Sequence, residues 1–204
     1  MNAFDSKARQ WDKDKMHHER SAAIATELVK MIPFQPSMTV LEYGAGTGLL
    51  SFLIKDKVSY ITMIDRSTEM VAVMQEKIAD TRASNMKALH LELTKESPIG
   101  TFDLIMNQMV LHHIENIPSL FAAFYEKLNA KGYIAIADLY TEDGSFHDTG
   151  FSGHLGFDCE ELSKLLSAAG FKYSAYKHCY TIKRKNESGN VKEFPIFLLV
   201  AQKE

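Results

Sequence analysis

Two carboxylates and three alternating glycines carry the chemistry that is most legible in this sequence. In the stretch Val40-Leu41-Glu42-Tyr43-Gly44-Ala45-Gly46-Thr47-Gly48-Leu49-Leu50, an apolar strand runs into a turn and an apolar helix leaves it. Glycine gives access to φ > 0 and lets a ligand approach main-chain atoms with no Cβ in the way. Glu42, just before the turn, suits a cationic or hydroxyl-bearing ligand better than a bare phosphate. Asp65 ends the next apolar run, where a carboxylate can accept hydrogen bonds from both hydroxyls of a ribose. These residues describe a nucleoside-cofactor pocket at the carboxyl end of a first parallel strand. A G-x-G-x-x-G dinucleotide fingerprint started at Gly44 needs glycine at position 49, and Leu49 stands there. The loop is G-x-G-x-G, and no G-x-x-x-x-G-K-S/T phosphate loop occurs.

Proton transfer has candidates among the eight histidines. His112 and His113 follow the fourth predicted strand, where a side chain faces the pocket. His147 and His154 fall in a long glycine-containing stretch after the fifth. His112 and His154 are the candidate catalytic residues, with loop packing as the alternative for His154. Asp138 and Tyr140 close the fifth strand near the same mouth. His17 and His18 are expected to be peripheral. No Cys/His pair has ligand spacing, so no metal is expected. Met63, Met70, Met74, Met106 and Met109 fall on predicted strands and helices and read as core.

The elements that must position these groups follow from periodicity and breakers. A polar arm over 1–15 contains Phe4 and Trp11, either a loosely docked tail or a lid. A helix is predicted over 21–32, stopped by Pro33 and Pro36. Strands over 39–43, 60–65, 86–93, 101–106 and 133–139 alternate with helices over 47–55, 68–81 and 117–128, and Ser67 can cap the second of these. That alternation predicts an α/β fold: a Rossmann-like, seven-stranded, mostly parallel sheet with helices on both faces. Residues 140–157, with Gly144, Gly150, Gly153 and Gly156, read as one long loop, which in a compact domain is usually functional. Asp158 and Glu161 resemble a capping box opening a helix that ends near Gly170. The last two strands, 171–182 and 193–202, are joined by a turn containing Asn186, Ser188, Gly189 and Asn190 and form an antiparallel hairpin.

Five segments in this order resemble the class I S-adenosylmethionine-dependent methyltransferases, small-molecule type, similar to the ubiquinone/menaquinone-biosynthesis-like members. They are VLEYGAGTG, MIDRSTEM, ALHLELT, FDLIMNQMVLHHI and LNAKGYIAIADL, and the opening FDSKARQWD resembles an aromatic lid. The resemblance implies roles position by position. Glu42 would contact the methionine amino group. Gly44, Ala45 and Gly46 would pass the homocysteine and ribose. Asp65 would hold the ribose hydroxyls, with Arg66 flanking the adenine and Glu92, within the third strand, near its amine. Asn107 and Gln108 would border the sulfonium and methionine carboxylate, and Trp11 would belong to the lid. The implied cofactor is S-adenosyl-L-methionine.

The chain of 204 residues is long enough for one α/β domain, and 46% hydrophobic and 24% charged residues are ordinary for a globular protein. The expected organisation is a single methyltransferase domain over 1–204: lid and helix 1–32, cofactor core 37–139, acceptor-side loop, helix and hairpin 140–204. A net charge of -3 gives no footprint for nucleic acid. Two cysteines, no apolar leader and no long apolar run point to the cytoplasm, with no membrane partner and a small-molecule acceptor. Two other readings stand beside methyl transfer: a nicotinamide-dependent oxidoreductase, which leaves Glu42 unexplained, and a non-catalytic S-adenosylmethionine-binding module. A D/N-P-P-Y tetrapeptide, which amine-directed polymer methyltransferases use after strand four, is replaced by Asn107-Gln108-Met109-Val110.

Overall fold

The computed structural model describes residues 4–92, 100–147, 150–185 and 189–204. Seven strands, β1 (Thr39–Tyr43), β2 (Tyr60–Asp65), β3 (Met86–His90), β4 (Phe102–Gln108), β5 (Leu128–Leu139), β6 (Phe171–Lys185) and β7 (Val191–Lys203), form one sheet in the order β3-β2-β1-β4-β5-β7-β6. The first five pair in parallel, and β7 lies antiparallel between β5 and β6. The helices are α1 (Ala8–Trp11), α2 (Lys15–Met31), α3 (Leu49–Ile54), α4 (Thr68–Thr81), α5 (Ile117–Lys127) and α6 (Cys159–Ala168).

A strand covered on both faces needs apolar residues throughout. Val40, Leu41, Leu104 and Ile105 accordingly have no exposed surface. One face is covered by Ile24 and Leu28 of α2, Leu50 of α3 and Val71 and Met74 of α4. The other is covered by Leu120, Phe121 and Phe124 of α5 and Leu162 and Leu166 of α6. β1 is flanked by β2 on one side and β4 on the other, so the chain reverses its direction of progress there. The crevice at the carboxyl ends of β1 and β4 is where such a sheet holds a ligand.

Among the boundaries that depart from the sequence expectation, β5 starts at Leu128 rather than 133 and α3 at Leu49 rather than 47, and three others bear on the site. α2 starts at Lys15, six residues before the predicted start, because the Asp14 carboxylate accepts from the Met16 amide at 2.9 Å and caps it. The polar first turns of that helix hid its periodicity. β3 stops at His90, so Glu92 lies beyond the strand and not within it; the Leu91 amide makes the last bond to β2, to the Asp65 carbonyl at 3.1 Å. β4 continues through Asn107 and Gln108, both buried, and is stopped by Met109, the next residue, a non-glycine with φ 55°. The loop over 140–157 is pinned rather than slack: Tyr140 bridges Phe157, the Glu142 amide donates to the Leu155 carbonyl, and the His154 amide donates to the His112 carbonyl. Asn186 and Ser188 of the hairpin turn, like Leu93, lie outside the described residues. Among the described residues, no helix is long and apolar enough to cross a membrane.

Gly156 is the tightest point of that loop, since a Cβ there would lie 2.1 Å from the Tyr140 carbonyl oxygen at φ +74°. Gly150 has φ +97° with nothing within 4 Å. Gly156→Ala is therefore expected to destabilise the protein by roughly 1–3 kcal/mol more than Gly150→Ala, read by urea denaturation. Equal losses would mean that the Tyr140–Phe157 clamp is not rigid.

Candidate functional site

The glycine loop is built by its neighbours. The Ala45 amide donates to the Ile64 carbonyl at 3.0 Å, tying the turn to β2. A Cβ on Gly44 would meet Val110 Cγ2 at 2.6 Å, so the turn is closed against the residues after β4. A Cβ on Gly46 would meet nothing within 4 Å, so the loop is open there.

Glu42 has no exposed surface. Its Oε2 accepts from the Ser51 amide at 3.1 Å and from the Ser51 hydroxyl. Its Oε1 is buried and has no partner. Burial pushes the carboxyl up to about 7, against the pull of the Ser51 hydrogen bonds. The Gly46 and Ser67 amides donate to the two oxygens of Asp65, each at 2.8 Å. Burial raises Asp65 as well, and those bonds oppose it. Asn107, 2% exposed, leaves both its Oδ1 and Nδ2 without partners. Gln108 is turned the other way: its Oε1 accepts from the Ser21 hydroxyl at 3.0 Å, which anchors α2 to the end of β4. Arg66 is exposed at the rim. Burial and the nearby Glu92 charge push the Tyr43 phenol up to about 12, which places Glu92 beside the end of β1.

The N-terminal arm closes over this loop. Lys77 of α4 donates to Asp12 and to the Thr47 carbonyl, both at 2.8 Å, and the Thr47 hydroxyl donates to the other Asp12 oxygen. The Ser67 hydroxyl donates to Asp5 at 2.6 Å. Trp11 stacks on His17 at 4.1 Å, and Phe4 meets both Trp11 and His113 edge-on. Asp5, Asp12, Thr47, Ser67 and Lys77 were not legible as site residues, because nothing in their spacing announces a contact between the arm and α4.

Beyond the arm, Asp138 at the end of β5 accepts from His112 Nδ1 at 2.6 Å and from the His112 and Leu139 amides. Both side chains are nearly fully buried. The ring nitrogens of His112, His113 and His147 all lie within 4.8 Å of one another. Tetrahedral coordination at ~2.05 Å needs ligand nitrogens about 3.3 Å apart, so an ion there requires the rings to close in. Burial, then the neighbouring histidines, hold His113 near 4; burial, then His112 and Arg184, hold His147 near 4, so both rings are neutral at pH 7. His147 stacks on Phe151 at 3.7 Å. His154, in contrast, directs Nε2 to the Ile114 carbonyl at 3.0 Å and braces the loop from behind.

Arg20 is the most unexpected neighbour. It is 5% exposed, and its Nε is buried without a partner. Among the described residues its one side-chain hydrogen bond is a long one, 4.0 Å, from Nη1 to Met16 sulfur. Burial lowers the guanidinium to about 10, with Asp138 and Tyr180 opposing that shift and Arg184 adding to it, so it keeps its charge at neutral pH.

Comparison with known proteins adds the family context. A sequence model described as a methyltransferase domain matches residues 16–176. Phosphoethanolamine N-methyltransferase 1 of Arabidopsis thaliana is 27% identical over 152 residues, covering 71% of this chain and 31% of that protein. The chain thus spans about a third of the length of the plant relatives it matches. A SAM-dependent methyltransferase from Aquifex aeolicus superposes with a TM-score of 0.70 at 23% identity, over 98% of both chains. Phosphoethanolamine N-methyltransferase 2 of Haemonchus contortus, solved with phosphomonomethylethanolamine and S-adenosylhomocysteine, gives a TM-score of 0.70 at 14% identity over 91% of this chain and 52% of that one. At these identities the structural likeness establishes the fold.

The Glu42 environment has a sign that can be measured. The folded carboxyl titrates near 7 against an ordinary value of 4.5, so the folded state binds the proton more tightly. The stability that Glu42 contributes is fully present below 4.5 and is lost as pH rises through about 7. In free protein, the melting temperature of the wild type should fall relative to Glu42→Gln across that window. Parallel pH profiles for the two proteins would contradict the burial of an ionising group there.

Proposed function

Since this chain belongs to the methyltransferase domain family, we propose that it binds S-adenosylmethionine in the crevice at the ends of β1 and β4 and passes the methyl group to a small-molecule acceptor. The observation that carries the reading is a set of buried polar atoms without partners: Glu42 Oε1 and Asn107 Oδ1 and Nδ2. Buried polar groups are overwhelmingly hydrogen-bonded, and leaving one unmade costs about 1–3 kcal/mol. An amino acid end, with an ammonium and a carboxylate, answers both an orphaned carboxylate oxygen and an orphaned amide.

In this assignment Glu42 receives the ammonium and Asn107 borders the methionine end. Asp65 takes the ribose hydroxyls, while Gly44, Ala45 and Gly46 offer main chain with no Cβ at the open point. Arg66 and Glu92 flank the adenine. Gln108 contributes indirectly, by holding α2 through Ser21. Trp11 and Phe4 close the arm and exclude water from the reacting centre. When bound, the cofactor supplies an electrophilic methyl group on a sulfonium.

The chain then has to align the acceptor and manage its proton. Alignment is the larger part of in-line transfer. Asp138 holds His112 Nδ1 as a donor, which fixes the tautomer and leaves Nε2 as the base for a hydroxyl or amine acceptor. His154 acts by positioning the loop behind it. The whole of residues 1–204 forms one methyltransferase unit that works in the cytoplasm on a diffusible acceptor.

Calorimetry separates the adenosyl readings from the nicotinamide one, and product formation separates the enzyme from a binding module. S-adenosylmethionine and S-adenosylhomocysteine should bind and NAD should not, and Asp65→Ala should lose about 1–3 kcal/mol of affinity for either adenosyl ligand. Tight NAD binding, or full affinity in Asp65→Ala, would sink the proposal. A non-catalytic module would bind both adenosyl ligands but form no S-adenosylhomocysteine with any acceptor supplied.

A further inference from the structure

An arginine buried without a carboxylate is hard to explain as a structural residue. Taking a guanidinium out of water carries a penalty of several kcal/mol, which is recovered only when hydrogen-bonded counter-charge surrounds it. Arg20 has the burial without the compensation: it forms no ion pair among the described residues, and its Nε is an orphaned donor. The nearest help is Coulombic, from Asp138. That carboxylate is already engaged, with Oδ1 facing His112 Nδ1 and the Leu139 amide and Oδ2 facing the His112 amide. Arg184, on β6, also acts on both Arg20 and His147 and lies over the Phe146 ring at 3.9 Å. The region around Arg20 therefore gathers two guanidiniums and neutral imidazoles about Asp138, with Asp14, whose Oδ1 is taken by the Met16 amide, as the other carboxylate that acts on it.

The neighbours of Arg20 put this charge at the carboxyl ends of β4 and β5. Ser21, the next residue, is bonded to Gln108 at the end of β4, and Arg20 shares its surroundings with Asp138 at the end of β5 and with Tyr180 on β6. His112, the base, is held by the same Asp138. A planar fork with a free donor is matched by an oxyanion, carboxylate or phosphate, which it can bind in bidentate fashion.

We infer that Arg20 is an oxyanion receptor in the acceptor site, so that the small molecule methylated here carries a carboxylate or a phosphate group beside its methyl-accepting atom. The inference rests on the methyltransferase reading for the word acceptor, but the receptor itself is tested without turnover. Such a residue works against the fold that carries it: the ligand-free protein tolerates a buried charge that only the ligand neutralises.

The experiment uses protein saturated with S-adenosylhomocysteine, titrated separately with inorganic phosphate and with acetate, against sodium chloride at matched ionic strength. At least one oxyanion should raise the melting midpoint saturably above the chloride control, and which one does so separates phosphate from carboxylate. Arg20→Met should abolish the response, and Arg20→Lys, which keeps the charge but not the fork, should weaken it at least about tenfold, the weight of one charge-assisted hydrogen bond. Without ligands, Arg20→Met should melt higher than wild type. Calorimetry with S-adenosylhomocysteine on the same proteins reports on the methyltransferase reading separately. The inference is overturned by a wild-type response no greater than chloride, by a response in Arg20→Met or Arg20→Lys equal to that of the wild type, or by a lower melting point in Arg20→Met.

Discussion

A buried carboxylate that its own protein satisfies only on one side organises this molecule. Glu42 ends β1, the strand at which the sheet reverses direction, and Ser51 occupies one of its oxygens from the first turns of α3. The other oxygen has no partner. Because β1 is enclosed by β2, β4 and helices on both faces, water cannot solvate that oxygen, and the proton affinity of the group rises in consequence. The glycines follow from the same constraint. A turn packed against Val110 at Gly44 and open at Gly46 can bring a ligand to the carboxylate along main-chain atoms alone.

The same pattern recurs along the carboxyl edge of the sheet. Asn107 at the end of β4 and Arg20 on α2 also hold buried atoms without partners. Glu142 Oε1 and His147 Nε2, in the loop after β5, are buried without partners as well. Local rules broken together at one edge of an otherwise consistent fold are the mark of a place shaped for a ligand. The arm turns this edge into an enclosure. It is held by side-chain hydrogen bonds from Thr47, Ser67 and Lys77 and by ion pairs of Arg9 with Glu69 and Glu76, so releasing it breaks mainly polar contacts. Through Phe4 and His113 the arm also reaches the histidine cluster, which joins the cofactor side of the enclosure to the acceptor side.

The alternation of elements, the Gly44–Gly48 turn and Asp65 could be read from sequence because each is local: a period, a breaker or an acid at a strand end. Ser67 and Asp158 as helix caps were legible for the same reason, and both accept from the expected amides. What sequence did not disclose was long-range. The start of α2 was hidden by a polar first turn, and the overreach of β3 past His90 came from the apolar Leu91, whose amide makes the last bond to β2. The contacts of Asp12 with Lys77 and of His112 with Asp138 join residues far apart in the chain, and the convergence of His147 on His112 depends on how the loop after β5 folds back. Arg20 gave no sign at all, since an arginine in a polar helical turn is ordinarily solvated.

The most direct measurement is the titration of the Glu42 carboxyl carbon by NMR in selectively labelled protein, with and without S-adenosylhomocysteine. The account predicts a midpoint near 7 in the free protein that moves down by a unit or more when the ligand's ammonium meets Oε1. A midpoint that binding leaves unchanged would contradict the assignment of Glu42 as the amine receptor and, with it, the reading of the crevice as a sulfonium-cofactor site.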